Sequence, residues 1–495
     1  MRRATFIVLL LFTLSGVSGL IYEITWIRLL SHLLGGTSFA ISTVLAAFMG
    51  GLALGSRHFG KIADRTPRPL ALYARLEFGI AATGLAAYLL ILLAPSAYVA
   101  AARVLPGPAL ALLRVIVALV LLLPPTFLMG GTLPVLSRFI VTSREHMGRG
   151  LGLLYGVNTF GAVLGCFLAG FVLIGALGLR FSTFLAIAIN LLIGLLVLVA
   201  ERGAGPAAET MAAPEEAPPA SDAEAAIDPR LLGLIFALSG FASLGYELYW
   251  SRALQHFLGN STYAFSAMLT TFLLGLAFGG WLGGRLVDRV RRKVALLGWT
   301  QLAIGAAALS TVLLIWEWLP HMADGAWLHS KDIGWTSYIA RRFLIAFAVM
   351  APATFLTGMT FPIVTRIGVH ELHRLGGGVG RLYFFNTLGA IAGSLAAGFL
   401  LLPWLGAKGA LILTGCLSAA LGLVAHLGAR RRRAIEPAMA VLVLLALVFS
   451  APKLLISGQA LLADTQEPGD RVLFQREDHA AETRVYRKPD GSLHM

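Results

Sequence analysis

The chain has 495 residues, of which 57% are hydrophobic and 13% are charged, and its formal net charge is +14. A soluble domain carries about 25% charged residues, so this composition excludes a soluble protein. The positive charge does not indicate nucleic acid binding, because the basic residues lie in short breaks between apolar runs, where membrane topology places them. We therefore predict an all-α polytopic membrane protein with the lipid bilayer as its main partner.

Apolar runs of about 20 residues recur along the chain, which is the length that a helix needs to cross a hydrocarbon core of about 30 Å. The first run follows Met1-Arg2-Arg3 and resembles a signal peptide, but no small-residue cleavage site leads into a soluble domain. The predicted membrane helices are 5–25, 38–57, 70–94, 110–139, 152–176, 181–200, 231–250, 263–284, 294–316, 342–367, 380–403 and 408–428, with a weaker thirteenth at 436–452.

Two copies of one helical unit follow each other along the chain. An offset of 224 residues aligns Tyr22-Glu23 with Tyr246-Glu247, and an offset of 228 aligns Asn158-Thr159 with Asn386-Thr387. Each copy holds six predicted helices, so both copies enter the membrane from the same side. We predict two parallel six-helix repeats whose pseudo-two-fold axis lies along the membrane normal, as in parallel-repeat transporters.

The repeat divides the chain into five predicted segments. Residues 1–200 and 230–428 are the two membrane repeats. Residues 201–229 hold seven acidic residues and one Arg among Ala and Pro, a composition typical of a disordered linker. Residues 429–455 are a basic loop with the possible thirteenth helix, and residues 456–495 are a tail. Lys and Arg concentrate at the N-terminus and after the even-numbered helices, which predicts a cytoplasmic N-terminus.

The first helix of each repeat carries a Tyr-Glu-x-x-Trp motif, and an ionisable group inside a membrane helix indicates function by default. Two interpretations are open. At 1.5 Å per residue Glu23 lies about 30 Å beyond Arg3, so the motif could be an interfacial anchor in the aromatic belt. Alternatively, the two glutamates bind a cation with help from the aromatic faces. The candidate substrate-binding residues are Glu23, Tyr22, Trp26, Glu247, Tyr246, Trp250, Asn158 and Asn386.

Asn158 and Asn386 have a second interpretation. Each follows a Tyr at i−3 on the same helical face and precedes a Gly-x-x-x-Gly pair, a combination typical of close helix packing in membranes. Cys166 and Cys416 lie in apolar helices with no Cys-x-x-Cys or His nearby, so we expect neither a metal site nor a disulfide. Gly376-Gly377-Gly378 follows a basic loop rather than a strand, so we do not expect it to bind nucleotides.

The breaks after helices 2 and 8 contain Asp64-Arg65 and Asp288-Arg289, each four residues after a glycine. Both resemble the G-x-x-x-D-R-x-x-R/K loop of the major facilitator superfamily. The glycine allows helix ends to cross closely, the aspartate can bridge to a neighbouring helix end, and the arginine anchors the loop in the headgroups. The alternative is a merely basic cytoplasmic loop.

Over residues 10–495 the tandem Tyr-Glu-x-x-Trp-x-Arg helices, the doubled Asp-Arg loops and the Tyr-x-x-Asn-Thr helices together resemble fused major facilitator/spermidine synthase proteins of bacteria. The resemblance implies a multi-pass protein of the bacterial inner membrane. It also implies a following soluble domain similar to polyamine aminopropyltransferases, which use decarboxylated S-adenosylmethionine. The stretches 472–475 and 483–486 alternate like a β-hairpin and resemble the first strands of that domain.

The chain ends at Met495, before the glycine-rich turn and the acidic residues of such a synthase, so we expect no catalysis and no cofactor in this chain. The resemblance implies transport or presentation of a polyamine-like cation. The alternative is a truncated membrane-anchored aminopropyltransferase in which the bundle is an anchor. A carrier for an unrelated lipid or peptide is a third possibility.

Overall fold

The computed structural model contains twelve α-helices in the residues that it describes. Those residues are 2–34, 38–203, 227–258, 262–320, 334–429, 471–477, 482–487 and 493–494. The helices are α1 (Arg2–Leu34), α2 (Ser38–Arg65), α3 (Pro69–Ala102), α4 (Gly107–Ile140), α5 (Met147–Leu168), α6 (Ile174–Gly203), α7 (Pro229–Leu258), α8 (Thr262–Arg289), α9 (Lys293–Leu313), α10 (Trp335–Gly368), α11 (Leu375–Ala396) and α12 (Leu402–Gly428). The predicted all-α fold class is confirmed.

Nine continuous helical stretches in the described part of the chain are long and apolar enough to cross a membrane. Two of them, Met147–Glu201 and Leu372–Gly428, have 55 and 57 residues, and each contains a backbone break. The breaks lie at Gly178 and Gly406, where φ is +75° and +64°. Glycine alone adopts this conformation without strain, so each stretch divides into two crossings. The protein is therefore a multi-pass membrane protein.

The helices of the two halves begin at matching positions. Pro69 of α3 and Lys293 of α9 differ by the predicted offset of 224, and Gly107 of α4 and Trp335 of α10 differ by 228. A five-residue π-helical turn also recurs, at Ala169–Leu173 and Ala397–Leu401. These turns join α5 to α6 and α11 to α12 and lie within the predicted helices 152–176 and 380–403. The breaks at Gly178 and Gly406 fall in the gaps that the sequence predicted between separate helices. The two parallel six-helix repeats are confirmed.

Glycines bring helices of the same half into backbone contact. A Cβ added to Gly16 of α1 would lie 2.1 Å from the carbonyl oxygen of Asn158 on α5, and one added to Gly161 would lie 1.9 Å from that of Thr13. The second half repeats the arrangement at Gly240 and Gly389. Glycine is therefore required where α1 crosses α5 and where α7 crosses α11, as the small-residue pattern indicates.

The buried core differs between the two ends of the bundle. At the end that carries Asp64 and Asp288, here called the aspartate side, one hydrophobic cluster contains residues of both halves, from Phe12 and Leu154 to Phe236 and Leu382. At the opposite end the core divides into one cluster for each half, apart from Leu269 of α8, which packs with the first half. The two halves are therefore joined most completely on the aspartate side.

The C-terminal tail contains the predicted hairpin. Strand β1 (Arg471–Glu477) pairs antiparallel with β2 (Glu482–Arg487), and a short third strand, β3 (Leu493–His494), pairs with β2. The register shifts between Val472 and Phe474. Most of the predicted linker and the possible thirteenth helix fall at 204–226 and 430–470, outside the described residues.

The glycine contacts predict a sharp difference between two neighbouring positions on α1. Gly16→Ala should destabilise the protein by about 2 kcal/mol, because the methyl group overpacks against Asn158. Gly19→Ala is the matched control, since a Cβ at Gly19 has no atom within 4 Å. Thermal unfolding in detergent, followed by tryptophan fluorescence, measures both. Equal unfolding temperatures for the two variants would contradict the helix contact.

Candidate functional site

Glu23 on α1 and Glu247 on α7 face each other between the two halves. The two side chains are half-buried, and the carboxylates lie within Coulombic range of each other. Glu23 also acts electrostatically on Cys166 of α5 and on Tyr383 of α11. The bundle therefore brings together two acidic groups that are 224 positions apart in the sequence.

The depth of this pair is nearer to the middle of the bundle than the count from Arg3 indicates. Tyr383 lies about 12 Å from the start of α11, and Cys166 lies about 28 Å from the start of α5. Both helices start on the aspartate side, and Glu23 interacts with both residues. These interactions favour a position inside the bundle over one at its outer edge. The count from Arg3 begins in the first turn of a 33-residue helix, which is longer than the hydrocarbon core is thick.

The described residues around the two glutamates include polar groups, and none of them is a cation that acts on either carboxylate. In the described part of the chain, burial acts on Glu23, burial and the charge of Glu23 act on Glu247, and no Lys, Arg or His acts on either. The phenols of Tyr155 and Tyr383 interact with each other at the same interface. In the sequence these two tyrosines are typical of helix packing, and their matching positions in the two repeats are the signal that points to a shared site.

The aromatic residues of the motif lie inside the halves. Trp26 stacks on Tyr22 with ring centroids 4.8 Å apart, and Trp250 stacks on Tyr246 at 5.2 Å. All four side chains are at most 1% exposed. This burial does not fit an interfacial aromatic belt, whose rings face lipid. Their predicted contact with a substrate stays a prediction, since they belong to the cores of the two halves.

The two motifs differ in how their polar atoms are satisfied. The indole Nε1 of Trp250 donates to Thr311 at 2.9 Å, and the Tyr246 hydroxyl donates to the carbonyl oxygen of Thr414 at 2.9 Å. In the first half the Tyr22 hydroxyl and the Trp26 Nε1 are buried without a protein partner among the described residues. Ala87 occupies the position equivalent to Thr311, so Trp26 loses its acceptor. The two halves therefore differ in the hydrogen bonding of this aromatic pair.

Asn158 and Asn386 tie helices together. The Asn158 Nδ2 donates to the carbonyl oxygen of Phe12 at 3.2 Å, and the Asn386 Nδ2 donates to that of Phe236 at 3.0 Å. These bonds lie at the glycine crossings of α1 with α5 and of α7 with α11. The contacts favour the packing interpretation, and a direct role in substrate binding remains a prediction.

Asp64 joins the two halves on the aspartate side. Its carboxylate oxygens accept hydrogen bonds from the backbone N–H groups of Gly376 and Gly377, both at 2.8 Å, in the first turn of α11. Arg138 of α4 lies 3.8 Å from the same carboxylate. A helix N-terminus has unpaired N–H groups and a positive dipole end, so it binds anions. The glycine-rich segment therefore holds a carboxylate of this chain.

Asp288 makes the symmetry-related contact. Its carboxylate accepts from the N–H of Gly148 at 3.0 Å and of Arg149 at 2.7 Å, at the start of α5, and Arg366 lies 3.6 Å away. Arg138 and Arg366 matched in the repeat but were not predicted as site residues. Arg65 and Arg289, which were predicted, are exposed at the ends of α2 and α8 and take no part in the aspartate contacts described here.

One buried acidic residue was missed by the sequence analysis. Glu77 on α3 is fully buried and accepts hydrogen bonds from Ser15 of α1 at 2.7 Å and Asn190 of α6 at 2.5 Å. A lone carboxylate within the apolar run 70–94 was the signal that could have found it. It lies within the first half rather than between the halves.

The loops on the aspartate side are strongly basic. His370, between α10 and α11, is exposed at the surface, and its partial desolvation together with the nearby Arg144 guanidinium lowers its pKa. Arg366 and Arg381 also lower the pKa of His370, whereas Glu371 raises it.

In the described residues no group of three or more His, Cys, Asp or Glu side chains could hold a metal ion.

The fold is that of major facilitator superfamily transporters. A bacterial homologue of the iron transporter ferroportin, crystallised outward-facing with soaked iron, has 15% identity and a TM-score of 0.56 over 87% of this chain and 100% of its own. The human organic anion transporter MFSD10 has 16% identity and a TM-score of 0.53 over 86% and 99%. The proton:xylose symporter XylE has 13% identity and a TM-score of 0.51 over 94% and 100%.

No protein-family model matches the sequence, and no curated protein is significantly similar to it. The structural likenesses therefore establish the fold of the membrane bundle. They support the major facilitator part of the resemblance found in the sequence, and they give no support to its spermidine synthase part.

The aspartate contacts predict that each aspartate protects the amides at one helix start from hydrogen exchange. Asp64→Asn should raise the hydrogen exchange rate of the Gly376 and Gly377 amides by about tenfold or more, because charge-assisted hydrogen bonds to them are lost. Asp288→Asn is the matched control and should instead affect Gly148 and Arg149. Mass spectrometry of peptides covering both helix starts measures the exchange. Unchanged exchange at both helix starts would contradict the contacts.

Proposed function

We propose that the protein is a secondary transporter of an organic cation of the polyamine class, which binds between Glu23 and Glu247. The observation that carries the proposal is the approach of two carboxylates across the interface, where no Lys, Arg or His of the described residues acts on either. Two like charges in a low-dielectric site repel each other, and a dication relieves this repulsion. A polyamine has two or more ammonium groups separated by short alkyl chains, which suits such a pair.

Several features of the fold support a transport cycle. Transporters with parallel repeats move one half against the other around a site at their interface. The pair Glu23 and Glu247 lies at this interface, with Tyr155 and Tyr383 nearby. The joined core and the contacts of Asp64 and Asp288 close the aspartate side, whereas the cores separate at the opposite end. In our proposal these aspartate contacts break when the carrier opens toward the aspartate side.

The basic loops support an orientation. Lys and Arg concentrate on cytoplasmic loops of membrane proteins, so we infer that the aspartate side and the N-terminus are cytoplasmic. The resemblance to the fused bacterial proteins further suggests the bacterial inner membrane. Membership of that fused group remains part of the proposal, and the strands of the tail are the feature of the structure that agrees with it.

The tail also favours a second candidate function, a membrane-anchored aminopropyltransferase. Its three-stranded antiparallel sheet agrees with the strands that the resemblance to synthases implies. In that case the bundle is an anchor, and its interior carboxylates have no role in amine binding. The two candidates therefore differ in whether amine uptake is lost when Glu23 and Glu247 are replaced by neutral residues.

The test is amine uptake by proteoliposomes with labelled putrescine and spermidine. Glu23→Gln and Glu247→Gln should each weaken binding by about tenfold or more, because each removes a desolvated charge partner of the amine. The double variant should bring uptake to the level of vesicles without protein. Glu145→Gln is the control, since Glu145 is exposed in the loop after α4 and should leave uptake unchanged.

Two outcomes would count against transport of polyamines. Uptake that is equal in the parent and in the double Glu→Gln variant would exclude the glutamate pair as the binding site. A parent protein that binds and takes up neither amine would favour the anchor function or a carrier for another substrate.

A further inference from the structure

Glu77 is a carboxyl group enclosed within the first half of the bundle. It lies about 12 Å from the start of α3 on the aspartate side, and it is 0% exposed. Side chains of two other helices donate to its carboxylate: the Ser15 hydroxyl of α1 to Oε1 and the Asn190 amide of α6 to Oε2. The Tyr73 hydroxyl, on α3 itself, lies beside it. This site is separate from the glutamate pair between the halves.

No cation among the described residues balances this carboxylate. In the described residues no Lys, Arg or His forms an ion pair with Glu77 or acts on it electrostatically, and Arg75 on the same helix is exposed. The titratable groups that face it are the phenols of Tyr73 on α3 and Tyr22 on α1. The described parts of α1, α4 and α6 that pack against α3 present no charged side chain to it. An unpaired ionisable group at this depth is expensive to keep and marks an ion or proton path.

The second half shows that the fold does not require a charge at this position. Gln301 of α9 is the equivalent residue, and its Nε2 donates to Ser239 at 3.0 Å, as Ser15 pairs with Glu77. Ser418 stands at the position equivalent to Asn190, and Leu297 at that of Tyr73. The neutral amide, close in shape to a protonated glutamate, thus completes the same helix contact. The carboxyl group is a feature of the first half alone.

The hydrogen bonds indicate which ion fits. Both carboxylate oxygens receive donors, from Ser15 and from Asn190, so hydrogens and not lone pairs point at the group. A metal cation such as Na⁺ needs oxygen lone pairs directed at it. A proton needs only one carboxylate oxygen, since the acid can then donate to the Ser15 oxygen. The Tyr22 and Tyr73 hydroxyls and the Asn190 Oδ1 are buried without a partner that meets hydrogen-bond geometry, which leaves polar groups to rearrange when the charge changes.

We propose that Glu77 is a proton-binding site of this protein, separate from the amine site between the halves, which takes up and releases one proton at its carboxylate. Protonation forms one O–H bond and converts the carboxylate into the neutral acid that Gln301 mimics. Helix α1 connects the two sites, because Ser15 and Tyr22 face α3 while the adjacent Glu23 faces the second half. Coupling of this proton to amine transport rests on the proposed function, whereas proton binding does not.

The first experiment tests proton binding without any substrate. Infrared spectroscopy of the full protein in lipid bilayers, titrated with pH, should reveal a protonated carboxyl band that Glu77→Gln removes. Gln301→Asn is the matched control at the equivalent position and should leave the band unchanged. A band that persists in Glu77→Gln, or a parent with no titrating band assignable to Glu77, would overturn the proposal.

A second variant covers the case in which Glu77→Gln fails to fold. Asn190→Ser introduces the residue found at the equivalent position of the second half and keeps the carboxyl group. Loss of a donor to the ionised form should move the titration midpoint of the band to higher pH by about one unit. An unchanged midpoint would overturn the assignment. Loss of the band on addition of Na⁺ at constant pH would show a sodium site instead and would also overturn it.

The last experiment tests the coupling. Proteoliposomes that accumulate labelled spermidine against a concentration gradient, driven by an imposed pH gradient, should lose accumulation in Glu77→Gln while amine exchange at equal pH persists. If accumulation persists in Glu77→Gln, coupling through Glu77 is wrong, even if the parent protein shows the infrared band. If the parent transports no amine, the proposed function fails while the infrared result stands on its own.

Discussion

The close approach of helix backbones at glycine is the contact on which the rest of this structure depends. In a bilayer the lipid tails are as apolar as the helix surfaces, so packing and hydrogen bonds, rather than a hydrophobic drive, hold helices together. At Gly16 and Gly161 of the first half, and at Gly240 and Gly389 of the second, carbonyl oxygens lie where a Cβ would be. These crossings fix α1 against α5 and α7 against α11. They thereby fix the helices that carry Glu23 and Glu247.

Glycine contacts also join the two halves, and hydrogen bonds to carboxylates strengthen them. Gly60 and Gly380 let α2 approach α11, and Gly152 and Gly284 let α8 approach α5. The carboxylates of Asp64 and Asp288 then complete the contact at the N-termini of the partner helices. The contact on the aspartate side therefore combines a shared apolar core with a few strong hydrogen bonds. In the transport cycle that we propose, these hydrogen bonds break when the carrier opens toward this side.

The two halves share one backbone plan but differ in their interior polar groups. Glu77 in the first half corresponds to Gln301 in the second, and Ala87 corresponds to Thr311. As a result, within the described residues, the Glu77 carboxylate of the first half has no cation and the polar atoms of Tyr22 and Trp26 have no partner. In the second half Thr311 and Ser418 pair with Trp250 and Tyr246. Duplication supplies the symmetric scaffold. Substitution within one copy then gives that copy a separate chemistry.

The sequence by itself determined the class of the protein, its two parallel repeats, the helix order and the hairpin of the tail, because membrane helices are local and their apolar length is read directly from the residues. It also identified Glu23, Glu247, Asp64 and Asp288 as notable. Only the tertiary structure decided that the two glutamates meet between the halves and that the aspartates bind helix N-termini of the opposite half. It also decided that Glu77 accepts hydrogen bonds from neutral donors on other helices. These are contacts between residues more than 60 positions apart, and no local pattern specifies which helix faces meet. The choice between the two interpretations of Glu23 also needed the tertiary structure, since its depth depends on the neighbouring helices and not only on distance along one helix.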